Sequence, residues 1–311
     1  MSFAEGAVLP TGQCILLTGA TGQVGSELLR ILSPLGRVVA PSRTEMDLAS
    51  ADTVRQMVRR VRPRWIVNAA AYTAVDKAET ESEIAYAVNA DAVSAIAEEA
   101  LAVGAGVLHF STDYVFSGAN PDPYTEADPT GPLNVYGRSK LAGEQALQSS
   151  GVGHVIFRTS WVYGETGKNF LLTILRLARD RQTLPVVADQ HGSPTWSRDL
   201  ARLATHFLRR CEARSQGGDV AESLQEFGGL YHASGSGDTT WHGFANEALA
   251  VAKAREPSTS FAHLKPITTK EYPAPALRPS NSRLNCAKLA NRMGWRMMDW
   301  RESLRIVMEK L

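Results

Sequence analysis

Across the first half of the chain, short runs of apolar residues alternate with longer stretches whose apolar positions recur at helical spacing. Cys14-Ile15-Leu16-Leu17-Thr18, Arg37-Val38-Val39-Ala40, Trp65-Ile66-Val67-Asn68, Val107-Leu108-His109-Phe110-Ser111 and His154-Val155-Ile156-Phe157-Arg158 read as strands. Between them, residues 25–32, 51–61 (with Ser50 as the cap), 81–104 and 136–148 read as helices. Strands that are apolar along their whole length are buried on both faces. Helices between them then imply a parallel sheet covered on both sides. The fold class is α/β, a Rossmann-like doubly wound sheet that binds ligands at the carboxyl ends of its strands.

Past residue 165 the pattern changes. Residues 170–179 and 197–209 read as helices, and 183–187 and 230–234 as short strands. Residues 214–229 are polar and contain glycine, which predicts a loop. Residues 268–282 carry three prolines and no helical period, which predicts an extended segment over a cleft. The organisation expected is a loose extension over 1–12, a dinucleotide-binding domain over 13–165 and a smaller α/β substrate lobe over 166–311, with segments free to interleave.

The turn after the first strand, Thr18-Gly19-Ala20-Thr21-Gly22-Gln23-Val24-Gly25, carries the chemistry of that first domain. Gly19 suits a tight turn, Gly22 lets backbone approach a pyrophosphate, and Gly25 lets the helix lie close to the sheet. The helix N-terminus offers N–H groups and a positive dipole end to phosphate. An NAD site has an acid at the end of the second strand. Here that segment is Ala40-Pro41-Ser42-Arg43-Thr44, so Arg43 is a candidate for a 2′-phosphate and NADPH is the expected cofactor, with NADH as the alternative. Asp47 and Leu48 follow, in position to flank the adenine.

Tyr136 and Lys140 stand four apart at the start of a predicted helix, so they share a face. None of the other tyrosines has a lysine at that spacing. An ammonium beside a phenol lowers the phenol's pKa and makes it a better proton donor. The pair lies one strand-helix unit after Ser111-Thr112-Asp113, where a parallel sheet places a third catalytic group.

Composition narrows the field. Lys+Arg 33 against Asp+Glu 32 gives a net charge of +1, which disfavours a nucleic-acid binder. Cys14, Cys211 and Cys286 fit no metal-ligand spacing and read as reduced thiols. His109 reads as a satisfied core histidine, and Glu79, Glu81 and Glu83 as a solvated helix start. No signal peptide and no membrane helix is legible, so a cytoplasmic protein is expected.

Together these stretches resemble the extended short-chain dehydrogenase/reductases and, within them, the dTDP-4-dehydrorhamnose reductase subgroup. Its motifs are similar to the glycine turn, Asn68-Ala-Ala-Ala-Tyr-Thr-Ala-Val-Asp76, Ser111-Thr-Asp-Tyr-Val-Phe116, Asn134-Val-Tyr-Gly-Arg-Ser-Lys-Leu-Ala-Gly-Glu144, Arg158-Thr-Ser-Trp-Val-Tyr163 and Arg278-Pro-Ser-Asn-Ser-Arg-Leu284. They run in family order over nearly the whole chain. The resemblance implies reduction of the 4-keto group of dTDP-4-dehydro-β-L-rhamnose. Tyr136 gives a proton to the keto oxygen, Lys140 binds the nicotinamide ribose, Thr112 bonds the same oxygen and Asp113 contacts the sugar. It further implies that Gln23 and Val24 meet the pyrophosphate, Ala69, Ala70 and Ala71 the adenosine side, Trp161 the deoxyhexose, and Asn169 and Arg278 the nucleotide diphosphate. The chemistry needs no metal, since the cofactor carries the reducing equivalents. A homodimer, with or without a divalent ion at its interface, stays open. So do two other readings: an epimerase or dehydratase of the same family, disfavoured because Tyr114 stands where a dehydratase has a second carboxylate, and a non-catalytic subunit resembling that of methionine adenosyltransferase.

Overall fold

In the computed structural model, which describes residues 8–311, six parallel strands form one sheet in the order β10-β5-β4-β3-β1-β2. The strands are β1 (Cys14–Thr18), β2 (Arg37–Val39), β3 (Trp65–Asn68), β4 (Gly106–Thr112), β5 (His154–Thr159) and, far along the chain, β10 (Gly229–His232). Alternate residues of each strand feed opposite faces, which is why the strands read as apolar throughout. Ile15 and Leu17 point to one core with Leu108 and Phe157, whereas Leu16, Ile66, Val107 and Ile156 point to the other.

The helices divide accordingly. The first core is covered by α1 (Gln23–Leu32), while α2 (Ala51–Val61), α5 (Ala92–Val103) and α6 (Val135–Ser149) lie across the second face. Short helices α3 (Val75–Ala78) and α4 (Ser82–Tyr86) precede α5, and a π-turn at Ala87–Asp91 joins α4 to it. The long helix expected over 81–104 is therefore present with a π-bulge inside it. Ser50 occupies the N-cap position of α2 but makes no side-chain cap bond; Thr53 Oγ1 donates to Asp47 and Ser50 carbonyls instead.

The second lobe contains β6 (Val162–Tyr163), α7 (Phe170–Asp180), β7 (Thr183–Val187), β8 (His191–Gly192) and β9 (Thr195–Trp196). The chain then returns to the large sheet with α8 (Ser197–Ser215), α9 (Val220–Phe227) and β10. It closes with β11 (Thr239–Thr240), α10 (Trp241–Arg255), β12 (His263–Ile267), α11 (Ala287–Met293) and α12 (Trp300–Glu309). β12 pairs parallel with β7, and Tyr163, Trp196, Phe244, Trp300 and Leu304 form the lobe's own core.

Two expectations are corrected here. Residues 214–229 are not a loop, because α8 runs to Ser215 and α9 follows. Val220, Leu224 and Phe227 form a short helical stripe buried against the sheet, and the Asp219 carboxylate caps its start. Residues 1–7 of the expected loose extension lie outside the described residues. Of the rest, Leu9 is buried and its N–H donates to the Leu35 carbonyl at 2.7 Å, so this part is docked. All three cysteines are free thiols. Among the described residues no helix is long and apolar enough to cross a membrane.

Candidate active site

The strand order reverses between β1 and β3, and their carboxyl ends flank the crevice where a doubly wound sheet takes its ligand. The glycine turn sits there. Gly19 has φ +68, and a Cβ on it would come 2.7 Å from the Ala70 nitrogen. A Cβ on Gly25 would lie 1.9 Å from the Gly19 carbonyl oxygen, so any side chain there pushes α1 off the sheet. The helix starts at Gln23 after Gly22, with no side chain capping it. Its first N–H groups have no carbonyl one turn back, and they face the crevice mouth as donors for an anion. This is a cradle that side chains would fill and whose donors are unspent, and it fits a dinucleotide pyrophosphate.

Ala69, Ala70 and Ala71 follow β3 directly against this turn. The Ala70 N–H donates to Thr18 Oγ1 at 3.3 Å. Val24 packs its side chain on the first core. Gln23 reaches the other way: its Nε2 lies 3.5 Å from the Val162 and Lys168 carbonyls and its Oε1 accepts from Asn169 at 3.0 Å. Arg43 lies beyond β2 with its side chain 78% exposed, 3.7 Å from Asp47. Leu48 packs part-buried beside α2.

The catalytic candidates converge at the ends of β4 and the start of α6. Asn134 caps α6 by accepting from Gly137 N–H at 2.8 Å, and its Nδ2 donates to the Leu277 carbonyl at 2.7 Å. Glu79 is not a solvated charge: its carboxylate accepts from Val135 N–H at 2.8 Å. Glu81 accepts from the Tyr72 hydroxyl at 2.5 Å. Gly137 lets the helix approach Tyr114, whose carbonyl oxygen would be 2.3 Å from a Cβ. Tyr136 packs edge-on against Tyr114, with ring centroids 5.6 Å apart.

Thr112 Oγ1 donates to Asp113 Oδ1 at 2.9 Å and accepts from Tyr114 N–H at 3.2 Å. The same hydroxyl stands beside the Tyr136 phenol. Asp113 is buried and its Oδ2 has no partner at hydrogen-bond distance. Burial raises its pKa to about 7, against the easing effect of Thr112 and Ser282. A protonated Asp113 donates to Thr112 Oγ1, which frees the threonine's own proton for a ligand oxygen.

The phenol departs from expectation. Burial of its hydroxyl pushes Tyr136 up to about 12, with Thr112 opposing and the Asp113 charge adding to the rise. Lys140 does not lower it, because its ammonium is engaged elsewhere: Nζ donates to the Phe110 carbonyl at 2.8 Å and lies 3.2 Å from His109 Nε2. Burial lowers Lys140 to about 8, and Glu144 one turn along α6 works against that. Glu144 is itself held by Arg158 of β5 in a buried two-pronged ion pair, at 2.9 and 2.6 Å.

The expected substrate residues divide. Trp161 follows β5 in the left-handed region at φ +46 and stacks on Trp241, a residue the sequence pattern did not single out. The Asn169 amide is engaged within the protein. Its Oδ1 caps α7 by accepting from Leu172 N–H at 2.9 Å, and its Nδ2 donates to Gln23 and the Gly164 carbonyl. Arg278 forms an ion pair with Asp76 at 2.8 Å and donates to the Ala276 carbonyl at 3.1 Å. With Asn134 on Leu277 and Asp76 on Ala276 N–H, this pair straps the proline-rich segment across the cleft. Asn89 was also missed. Lying in the π-turn, it bonds Tyr72 at both backbone groups and Ser139 Oγ at 3.0 Å, fixing α6 to the segment after β3.

Comparison with known proteins places the chain in a family. A family profile described as the RmlD substrate binding domain matches residues 13–311. The chain is 44% identical over 299 residues to a dTDP-4-dehydrorhamnose reductase of Burkholderia thailandensis, covering 96% of this chain and 98% of that one. It is 46% identical over 303 residues to the protein of the same name in Escherichia coli K12, covering 96% and 97%. The structure of a dTDP-4-dehydrorhamnose reductase from Bacillus anthracis in complex with NADP superposes with a TM-score of 0.85 at 33% identity, covering 96% of this chain and 99% of that one.

Proposed function

The chain belongs to the dTDP-4-dehydrorhamnose reductase family, and on that premise we propose that it reduces the 4-keto group of dTDP-4-dehydro-β-L-rhamnose to the alcohol with NADPH, the last step in making dTDP-β-L-rhamnose. The observation that carries the reading is the Thr112 hydroxyl beside the Tyr136 phenol, one helical turn from Lys140. When bound, NADPH supplies the hydride that reaches C4 of the sugar. The Gly19–Gly25 cradle and the uncapped start of α1 hold the pyrophosphate, with Gln23 and Val24 at its edge, and Ala69 to Ala71 border the adenosine side.

Tyr136 gives its phenolic proton to the keto oxygen as negative charge develops there. The high pKa of the free phenol keeps it in the neutral, donating form across the working range. Thr112 donates to the same oxygen. Lys140 stays charged near neutral pH, binds the ribose with its remaining proton and stabilises the phenolate left behind. Preplaced donors in a water-poor cleft supply most of the rate enhancement. Trp161 borders the deoxyhexose, and Arg278 borders the nucleotide from the strap over the cleft.

The test is a spectrophotometric assay of NADPH oxidation with dTDP-4-dehydro-L-rhamnose made in situ. Stoichiometric oxidation with formation of dTDP-rhamnose is expected. No turnover with a correctly folded, NADPH-binding protein overturns the reading and favours the non-catalytic alternative.

A further inference from the structure

Three adjacent strands each carry one buried polar residue at matching register. Thr18 closes β1 opposite Asn68 at the end of β3, and Asn68 lies opposite His109 inside β4. Their side chains form a continuous row. Thr18 Oγ1 lies 2.6 Å from Asn68 Oδ1, Asn68 Nδ2 lies 3.0 Å from His109 Nδ1, and His109 Nε2 lies 3.2 Å from Lys140 Nζ. His109 is fully buried.

Counting protons shows what this row does. The Phe110 carbonyl only accepts, so Lys140 donates to it. A charged ammonium has no lone pair. It can meet His109 only when Nε2 is bare and the single imidazole proton sits on Nδ1. That N–H needs an acceptor, which Asn68 supplies by turning Oδ1 toward the ring and Nδ2 toward Thr18 Oγ1. In the amide orientation that the distances above describe, Asn68 Nδ2 donates to a bare Nδ1 and the imidazole proton sits on Nε2, where only a neutral amine can accept it. The two arrangements differ by a half-turn of one amide. The Thr18 hydroxyl satisfies both, accepting in one and donating in the other.

We propose that His109 is a positioning residue for Lys140: its neutral imidazole holds the lysine ammonium at the cleft, and Thr18 and Asn68 set the tautomer that makes it an acceptor. The inference rests on the reductase reading for the role of Lys140. When Lys140 loses its charge, the row turns over. The pair loses one proton in all: Nε2 takes one from the ammonium as Nδ1 gives its own up, and the Asn68 amide rotates. Burial and the Lys140 charge hold His109 well below the ordinary histidine pKa, so an imidazolium with N–H on both sides does not form. The other charged or titratable groups acting on the pair are Glu144, held by Arg158 of β5, and His154 at the start of β5. Among the described residues none of these bonds to the His109 ring.

The tautomer is read directly by nitrogen NMR of the full chain labelled with 15N-histidine, with His109 assigned by its absence in His109→Gln. The expected result is an Nδ1–H ring at about pH 6 that passes to Nε2–H through the lysine's titration near 8, and no such passage in Lys140→Met. In the NADPH assay, His109→Leu removes the acceptor and should move the alkaline limb of kcat down by about one pH unit. His109→Gln keeps an acceptor and should restore most of that shift. One unchanging tautomer between about pH 6 and 10 in the wild type overturns the proposal. So does a His109→Leu profile that is lowered but not shifted. Should His109→Leu fail to fold, the NMR result decides alone. A tautomer switch in a protein that turns over no ketosugar supports the role of the row while overturning the reductase reading.

Discussion

Trp161 and Trp241 lie face to face, ring centroids 3.6 Å apart and planes 10° apart, although one follows a strand of the large sheet and the other opens a helix of the second lobe. The pair joins the two lobes at the cleft. Trp241 Nε1 also donates to Gln190 at 3.2 Å, and Phe170 packs on its ring at 4.6 Å. Trp161 holds φ +46, a conformation that needs support from its surroundings. Trp241→Ala removes that support. An aromatic pair is worth about 0.5–1.5 kcal/mol, so the KM for the ketosugar should rise about two- to tenfold. The KM for NADPH should stay unchanged, because neither ring borders the glycine cradle. Steady-state kinetics varying each substrate in turn checks this.

Tyr136→Phe keeps the ring against Tyr114 and removes only the hydroxyl. Turnover should fall by a factor of about 10² to 10⁴, with NADPH affinity little changed. Residual activity above about a tenth of wild type would show that another group delivers the proton. Lys140→Met should differ by losing both turnover and cofactor affinity, which fluorescence titration with NADPH distinguishes.

Arg43 is exposed and shares its charge with Asp47. A 2′-phosphate at such a site gains about 1 kcal/mol from one charge-assisted hydrogen bond. Arg43→Ala should therefore raise the KM for NADPH about fivefold and leave that for NADH alone. Equal changes for both cofactors would remove Arg43 from the site.

Asp113 makes stability depend on pH. Its folded pKa of about 7 lies above the ordinary carboxylate value of 3.8. A raised pKa means that the folded state favours the protonated form. The contribution is full below the ordinary value and is lost as pH rises through the folded one. Asp113→Asn should lack this loss, so its melting temperature relative to wild type should rise between pH 4 and pH 7 and level off above. Calorimetry of the ligand-free proteins across that window is the measurement. A constant difference would show that Asp113 is ionised throughout.

Glu144 and Arg158 form a buried pair at 2.6 Å, with side chains 1% and 4% exposed. Glu144→Gln leaves the Arg158 charge without its counter-ion and should cost about 3–5 kcal/mol in chemical denaturation. Replacing both with apolar residues of similar volume should recover most of that loss. If the single and double variants are equally unstable, packing and not charge governs the site.

Much of the molecule was legible along the chain. Strands β1, β3 and β5 and helices α2 and α7 follow from local patterns, because burial on two faces or one stripe is imposed at fixed intervals of sequence. The glycine spacing was legible for a similar reason: the crowding that forbids a Cβ on Gly25 arises within the same turn. Tyr136 and Lys140 were visible because one helix presents both. Helix α9 was hidden, since three apolar residues in a short polar stretch make a stripe only when a sheet lies beneath them.

The sequence by itself determined most of the strands and helices of the large sheet and which side chains are candidates for the chemistry, since both are set by residue type and by spacing within a single strand or helix. What each polar group spends its hydrogen bonds on was decided only by the tertiary structure. Asn169 meets Gln23, 146 positions earlier, only in the folded chain, Glu79 reads as a solvated charge until α6 arrives, and His109 as a core histidine until Lys140 meets its ring. Arg278 finds Asp76 only once the last third of the chain has folded back over the first sheet. A donor or acceptor has a few ångströms of reach and bonds whatever the fold brings within it, and in these cases most partners come from distant parts of the chain.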